Sequence, residues 1–392
     1  MLRFVNAFRA GRYFLVSAVA LSGALHAEAA IASPTNVNCN VVPGVQSQLT
    51  SEQQFTQIQI ALTNQHLESL HSDDWQGPGS DGSPPSGYSA YQGVGASSYA
   101  SAFPGMPVKA VAPPPQPLEY RAWSAGEAQF GTLNGGGLTN TNFSNYYGVI
   151  GLDRRFSSDL KVGVSFGAGS EHTTVNSGGS KTDNNIYTGT FYGSYRLAPL
   201  TYLDGQVGYG GGTVSSTRTI ATDGSTVFGN RNSSDVFGSL ALSHDFLAGV
   251  MRFSPYLRAD AYQISLSGYS ETGSALALSY GRTTIDNLVG VAGLRVESPI
   301  ATSWGVLIPR LRFEYEHSFG GDFVQSINFA TLIGGTPNAF AGTVLSPDQL
   351  VMGAGVRLVT LKQFSCDANY EAIVTSQGVQ SQSGRLALSQ KF

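Results

Sequence analysis

The chain has 392 residues, among them 48 glycines, 18 tyrosines and 21 phenylalanines, and only 12% are charged. Glycine and aromatics are high and charge is low for a water-soluble globular domain. A formal net charge of -4 leaves no basic stripe to neutralise phosphates, which excludes a nucleic-acid surface. Beyond the amino terminus no run approaches the roughly 20 apolar residues that a membrane-crossing helix needs, so spanning helices are excluded too.

Residues 1–29 read as a secretory signal. Arg3, Arg9 and Arg12 give the positive region, Tyr13–Ala24 the apolar core, and Ala27-Glu28-Ala29 a small-x-small cleavage site. Export to the periplasm or beyond follows. Cys39 and Cys366 are then expected in an oxidising compartment, where pairing or two free thiols both stay open.

Residues 30–49 form a short segment of little pattern. Over 50–75 the apolar residues Phe55, Ile58, Leu62 and Leu70 recur near helical spacing, with Thr50 or Ser51 as a cap and Gln53 or Gln54 to complete a capping box. The other face carries Gln, Asn, His and Thr. Such a helix suits a polar channel, or else a small exposed or oligomerising element. Residues 76–117 turn to Gly, Ser and Pro and end in Pro113-Pro114-Pro115-Gln116-Pro117, a linker or remnant passenger.

After Leu118 the period becomes two. Twelve strands are predicted, near 121–131, 144–156, 159–172, 184–198, 201–217, 232–246, 250–266, 284–297, 306–318, 347–361, 362–376 and 381–392. Most are longer than strands of soluble sheets, and long enough for the ~9–11 residues of a tilted membrane strand. Tight turns alternate with longer polar segments at Asn134–Asn142, Ser177–Asp183, Arg218–Arg231, Ser267–Arg282 and Phe319–Ser346. The fold class is therefore all-β: a twelve-stranded antiparallel transmembrane barrel over 118–392, with a helix in or near its pore.

Alternation assigns the two faces. Arg310, Arg312, Glu314 and Glu316 share one side of a strand, and Leu311, Phe313 and Tyr315 the other. An unpaired charge at mid-bilayer costs about 2–4 kcal/mol in a barrel, so the charged side is expected to face the lumen. The same argument places Arg258 with Asp260, Arg295 with Glu297, and Asp204 with Gln206 on the lumen side. Tyr146, Tyr147, Phe156, Tyr187, Tyr195, Tyr202, Tyr256, Tyr262, Trp304, Phe319 and Phe392 suit aromatic girdles at the headgroup levels. Gly189, Gly193, Gly208 and Gly210 suit room for large lumen neighbours or wall curvature.

Chemical motifs are thin. Gly163-Val164-Ser165-Phe166-Gly167 has the letters of a nucleophile elbow but lies inside a strand with no helix after it. His172 and His244, with Ser170 or Asp245 near in sequence, are the remaining catalytic candidates, and their geometry is undetermined. No metal-ligand spacing appears, and no cofactor is expected.

Several segments in order, Ser254-Pro255-Tyr256-Leu257-Arg258, Asn287–Arg295, Pro309–His317, Leu350–Leu358 and Ser383–Phe392, resemble the β-domain of autotransporters, the translocators of type V secretion. The resemblance implies a pore helix, export of an amino-terminal passenger, and an outer-membrane location among lipid and lipopolysaccharide. It also implies recognition of an assembly signal at Phe392 by the barrel-assembly machinery, after escort by periplasmic chaperones. The layout departs from the family's: little passenger precedes 50–75, no repeat is visible, and the proline-rich stretch would join the helix to the first strand near Trp123. A porin-like or adhesive barrel, acting on a host or surface ligand through its long loops, is the alternative.

Overall fold

The computed structural model describes residues 41–71 and 119–392, apart from 136–137, 176–178, 221, 332–337, 344–345, 361–363 and 377. The signal region, Cys39 and the linker thus lie outside the described residues; Cys366 is a free thiol. One sheet of fourteen strands closes on itself. Two of these, Phe246–Ala248 and Ile300–Thr302, are three-residue extensions, leaving twelve wall strands.

In chain order the wall strands are β1 (Tyr120–Gly135), β2 (Leu138–Arg155), β3 (Leu160–Val175), β4 (Ser180–Ala198), β5 (Thr201–Thr219) and β6 (Thr226–His244). They continue as β7 (Met251–Leu266), β8 (Thr283–Glu297), β9 (Gly305–Ser318), β10 (Asp348–Thr360), β11 (Phe364–Thr375) and β12 (Gly378–Lys391). Every neighbour is antiparallel, and β1 pairs with β12 from Arg121↔Lys391 to Gly131↔Ser381. Closure leaves no wall edge unpaired, which a strand in hydrocarbon requires.

The pleat sorts the side chains. Leu257 is 65% exposed and its neighbour Arg258 only 8%. On β9 Leu311, Phe313 and Tyr315 are exposed while Glu314 is buried. The outer apolar belt ends at one rim in Tyr146, Tyr187, Tyr209, Tyr315 and Tyr370, all exposed. Beyond it come exposed polar cross-strand pairs: His172–Asp183, Gln263–Asp286 and His317–Asp348. The opposite rim carries Phe156, Tyr195, Phe246, Trp304 and Phe392. That rim holds the tight turns and both ends of the barrel chain, which places it at the periplasm.

Several expected boundaries move. Asn134–Asn142 and Arg218–Arg231 are mostly strand, because β1, β2, β5 and β6 run on past the membrane belt. The two longest segments are not plain loops either. Tyr269–Ser270, Leu278–Tyr280, Asp322–Phe329 and Asn338–Thr343 assemble into a separate four-stranded sheet at the external end. It is tied to the wall by a buried Arg218–Glu271 pair and by Arg231 lying over the Tyr269 ring.

A single described helix, α1 (Val41–His71), lies inside the wall. It starts well before Thr50, so the cap expected at Thr50 or Ser51 is wrong. Pro43 falls in the first turn, where its missing N–H breaks no helical bond. Ser51 instead accepts a hydrogen bond from Asn184 of β4, at 3.0 Å.

Candidate functional site

The site is the lumen and the helix within it. At the external end Ser47 of α1 meets Thr182 of β4, 3.2 Å away. At the periplasmic end Lys161 of β3 donates to the Leu70 carbonyl at 2.5 Å, a cation on the helix's negative end. The helix therefore runs from outside at its amino end to the periplasm at its carboxyl end. Between these points Gln59 donates to Thr190 (2.8 Å), Asn64 to Ser239 (3.1 Å) and Gln65 to Glu371 (2.7 Å). Gln53 donates to the hydroxyl of Tyr262. Partners on β4, β6, β7 and β11 mean that the polar faces of α1 are held from several sides of the wall. Its apolar residues Phe55, Ile58, Leu62, Leu67 and Leu70 pack with Trp123, Tyr147 and Tyr192 in one buried cluster.

Two histidines of α1 share a local design. His66 stacks on Trp123, with ring centroids 4.0 Å apart, and its Nε2 is 2.7 Å from Asp153. His71 stacks on Tyr202 at 3.9 Å and sits 3.0 Å from Asp204. Each ring is gripped between a wall aromatic and a wall carboxylate.

The charges singled out in the sequence fall into four groups. Arg258 pairs with Asp260 (2.9 Å), Glu314 (3.3 Å) and Glu316 (3.2 Å), and Arg312 pairs with Glu314 (2.8 Å). Arg295 joins them through Glu68 of α1, at 3.2 Å, and Glu68 also pairs with Arg312. Arg310 belongs to a second set, with Asp367 and Arg357. Glu297 pairs with Arg252, which also reaches Asp245 (3.2 Å), nearer the periplasm. Asp204 stands apart on β5, with His71. Phe392 touches none of these; it is 69% exposed and its backbone N–H donates to the Tyr120 carbonyl at 3.0 Å.

Sequence reading missed the helix's own contributions, Glu68, His66 and His71, and the buried Arg385–Glu127 pair (2.6 Å) that joins β12 to β1. It also misplaced four aromatics. Tyr147, Tyr202, Tyr256 and Tyr262 are buried inside the lumen, not in a girdle. Tyr147 donates to Gln59 of α1 at 2.5 Å, Tyr256 donates to Glu314, and Arg295 lies over the Tyr256 ring. The signal was present in the parity, since Tyr256 shares the face of Arg258 and Asp260. Beside the helix, between Gln57, Ala61, Arg258, Arg312, Glu314 and Arg385, there remains a polar cavity of about 90 Å³.

The catalytic candidates do not assemble. Ser165 is mid-strand on β3, His172 bonds Asp183 on the outer surface, and His244 meets Thr201 at 2.8 Å. Among the described residues no cluster of His, Cys, Asp and Glu could hold a metal ion.

The Autotransporter beta-domain family matches residues 122–371. The chain belongs to this family. This autotransporter barrel is an outer-membrane translocator domain, and its solved neighbours have the same fold. The translocator domain of the autotransporter NalP from Neisseria meningitidis superposes with a TM-score of 0.54 and 18% identity, over 70% of this chain and 88% of that one. The beta domain of the Bordetella autotransporter BrkA gives 0.52 and 17%, over 69% and 98%. At such identities the likeness speaks for the fold alone. No curated protein matches this autotransporter in sequence.

Proposed function

We propose that this barrel supports export and surface display of the segment that precedes α1, and that α1 stays behind as the plug of its own pore. One observation carries the reading: α1 is oriented with Ser47 at the external end and Leu70 at the periplasmic end. A chain so oriented leaves the barrel outward at its amino end. The mixed-charge lumen offers water and hydrogen bonds to a passing polar segment, and folding outside would bias movement, with no nucleotide needed. The terminal strand with Phe392 would carry the signal for the assembly machinery, with periplasmic chaperones and lipopolysaccharide as the further partners of such a barrel.

The same reading extends to the proline-rich stretch. His71 and Tyr120 both lie at the periplasmic end, and on this reading the stretch that joins them stays in the periplasm rather than on display. In a background lacking Cys39 and Cys366, single cysteines at 33 and at 100 are probed with an impermeant maleimide on intact cells. The reading expects labelling at 33 and protection at 100 until the outer membrane is permeabilised. Protection at 33 in intact, correctly assembled cells would sink it.

A further inference from the structure

On the lipid side of the barrel, four successive outward residues of β1 are small, Ala122, Ser124, Gly126 and Ala128, before the exposed ring of Phe130. The register partners of Ala122 and Ser124 are larger on both sides, and Gly126 and Ala128 have one large partner each, Leu386 on β12 and Tyr146 on β2. Ala122 lies between Leu152 and Gln390, and Ser124 between Ile150 and Leu388. The result is a groove of about 680 Å³ with β1 as its floor, and a second hollow continues it past Gly126 and Ala128. From Ala122 to Ala128 the floor runs about 20 Å at the rise of a strand. One leaflet's share of the hydrocarbon core is about 15 Å, so the groove is long enough for an acyl chain.

A cation closes its periplasmic end. Arg154 is the register partner of Tyr120, one outward step beyond Leu152. Its guanidinium lies 5.3 Å from the centre of the Tyr120 ring and 4.9 Å from that of Phe156. Its neighbours on the same rim have carboxylates: Arg155 pairs with Glu119 (3.5 Å) and Arg196 with Asp159 (2.6 Å). Arg154 has no ion pair among the described residues, and its buried Nε has no hydrogen-bond partner. A cation at headgroup depth, held by two rings and lacking a protein anion, is matched by a phosphate from outside the protein.

We propose that the seam between β12, β1 and β2 is a phospholipid site for the periplasmic leaflet, with Arg154 binding the phosphate and the β1 groove receiving an acyl chain. Charge selects the lipid and the small residues shape the channel for its tail. The site rests on the membrane-embedded barrel but not on export, so it can fail while the function proposed above stands.

The test is native mass spectrometry of the full, delipidated chain in detergent, titrated with dioleoylphosphatidylglycerol, dioleoylglycerol or inorganic phosphate. The wild type is expected to retain phosphatidylglycerol in preference to both others. Arg154→Gln should weaken that retention about tenfold, the loss of one charge-assisted contact. Ala122→Phe, which fills the groove, should do the same, and Arg155→Gln should not. Folding of each variant is checked by heat-modifiable electrophoretic mobility. If Arg154→Gln does not fold, the preference of the wild type for phosphatidylglycerol over dioleoylglycerol decides. Equal retention of those two lipids, or unchanged retention in Arg154→Gln, would overturn the proposal, as would a cross-link from position 122 to a protein strand in place of lipid.

Discussion

Arg295 of β8 and Arg312 of β9 are direct register partners across the lumen face. Like charges placed opposite one another destabilise a sheet, and the wall alone does not resolve this pair. Glu68 of α1 does, because its carboxylate pairs with both guanidinium groups. Arg312 also has Glu314 of the wall, but among the described residues Glu68 is the one carboxylate that pairs with both arginines.

Glu68→Ala is expected to cost about 3 kcal/mol, the low end for removing one partner from a buried pair, since Arg312 keeps Glu314 at 2.8 Å. Glu68→Gln should cost less because it still accepts hydrogen bonds. Urea unfolding followed by electrophoretic mobility gives the stability. Planar-bilayer conductance should rise in Glu68→Ala as the helix loosens. Unchanged conductance and stability would mean that Glu68 does not hold the plug.

Trp123 is the second anchor. Its Nε1 donates to the Tyr192 hydroxyl at 2.6 Å while its face carries His66. Trp123→Ala removes a buried ring and should cost about 3–5 kcal/mol. Trp123→Phe keeps a stacking surface but leaves the Tyr192 hydroxyl without that donor, and should fall between. Amide hydrogen exchange over residues 62–71 is the direct readout. It should accelerate in the alanine variant more than exchange in β7, on another part of the wall.

How much of this was legible depends on what alternation can encode. Parity alone predicts that Arg258, Glu314 and Arg312 share the lumen, because one wrong step would put a charge in lipid. The inward tyrosines follow the same parity, but a tyrosine suits a girdle as well as a polar interior, so residue type misled where position did not. The start of α1 was hidden for a related reason. Thr50 or Ser51 resembles an exposed cap, yet in the polar lumen Ser51 and its neighbour Glu52 face Asn184, which donates to both, at 3.0 and 2.8 Å. Glu68's role was not readable at all, since it depends on two strands far from it in sequence.

The wall glycines separate cleanly. A Cβ on Gly208 would enter the ring of Phe237, whereas nothing lies within 4 Å of one on Gly189. Gly208 faces the lumen and Gly189 faces outward, so only the first of these makes room for a lumen neighbour. Gly208→Ala should destabilise by about 1–3 kcal/mol through overpacking, and Gly189→Ala should stay within about 0.5 kcal/mol of wild type. Thermal unfolding of the two variants in the same detergent compares them directly. Equal effects would argue against the aromatic-over-glycine packing.

At the periplasmic turn between β2 and β3, Asp159 accepts hydrogen bonds from Arg196 Nε at 2.8 Å and from Ser158 Oγ at 3.0 Å. These two contacts, Arg196 first, hold its carboxyl below the usual carboxylate range. A carboxylate depressed in the folded state favours folding above its unfolded pKa of about 3.9, and the benefit disappears as pH falls through the lower folded value. Acid therefore weakens this turn and neutral pH does not. The side chain is 42% exposed, so the effect should be small and should shrink with added salt. Asp159→Asn should lose stability at pH 6 and match the wild type near pH 2, read as urea midpoints at both values. A constant offset between the two proteins at both pH values would assign the turn's stability to packing rather than to this ion pair.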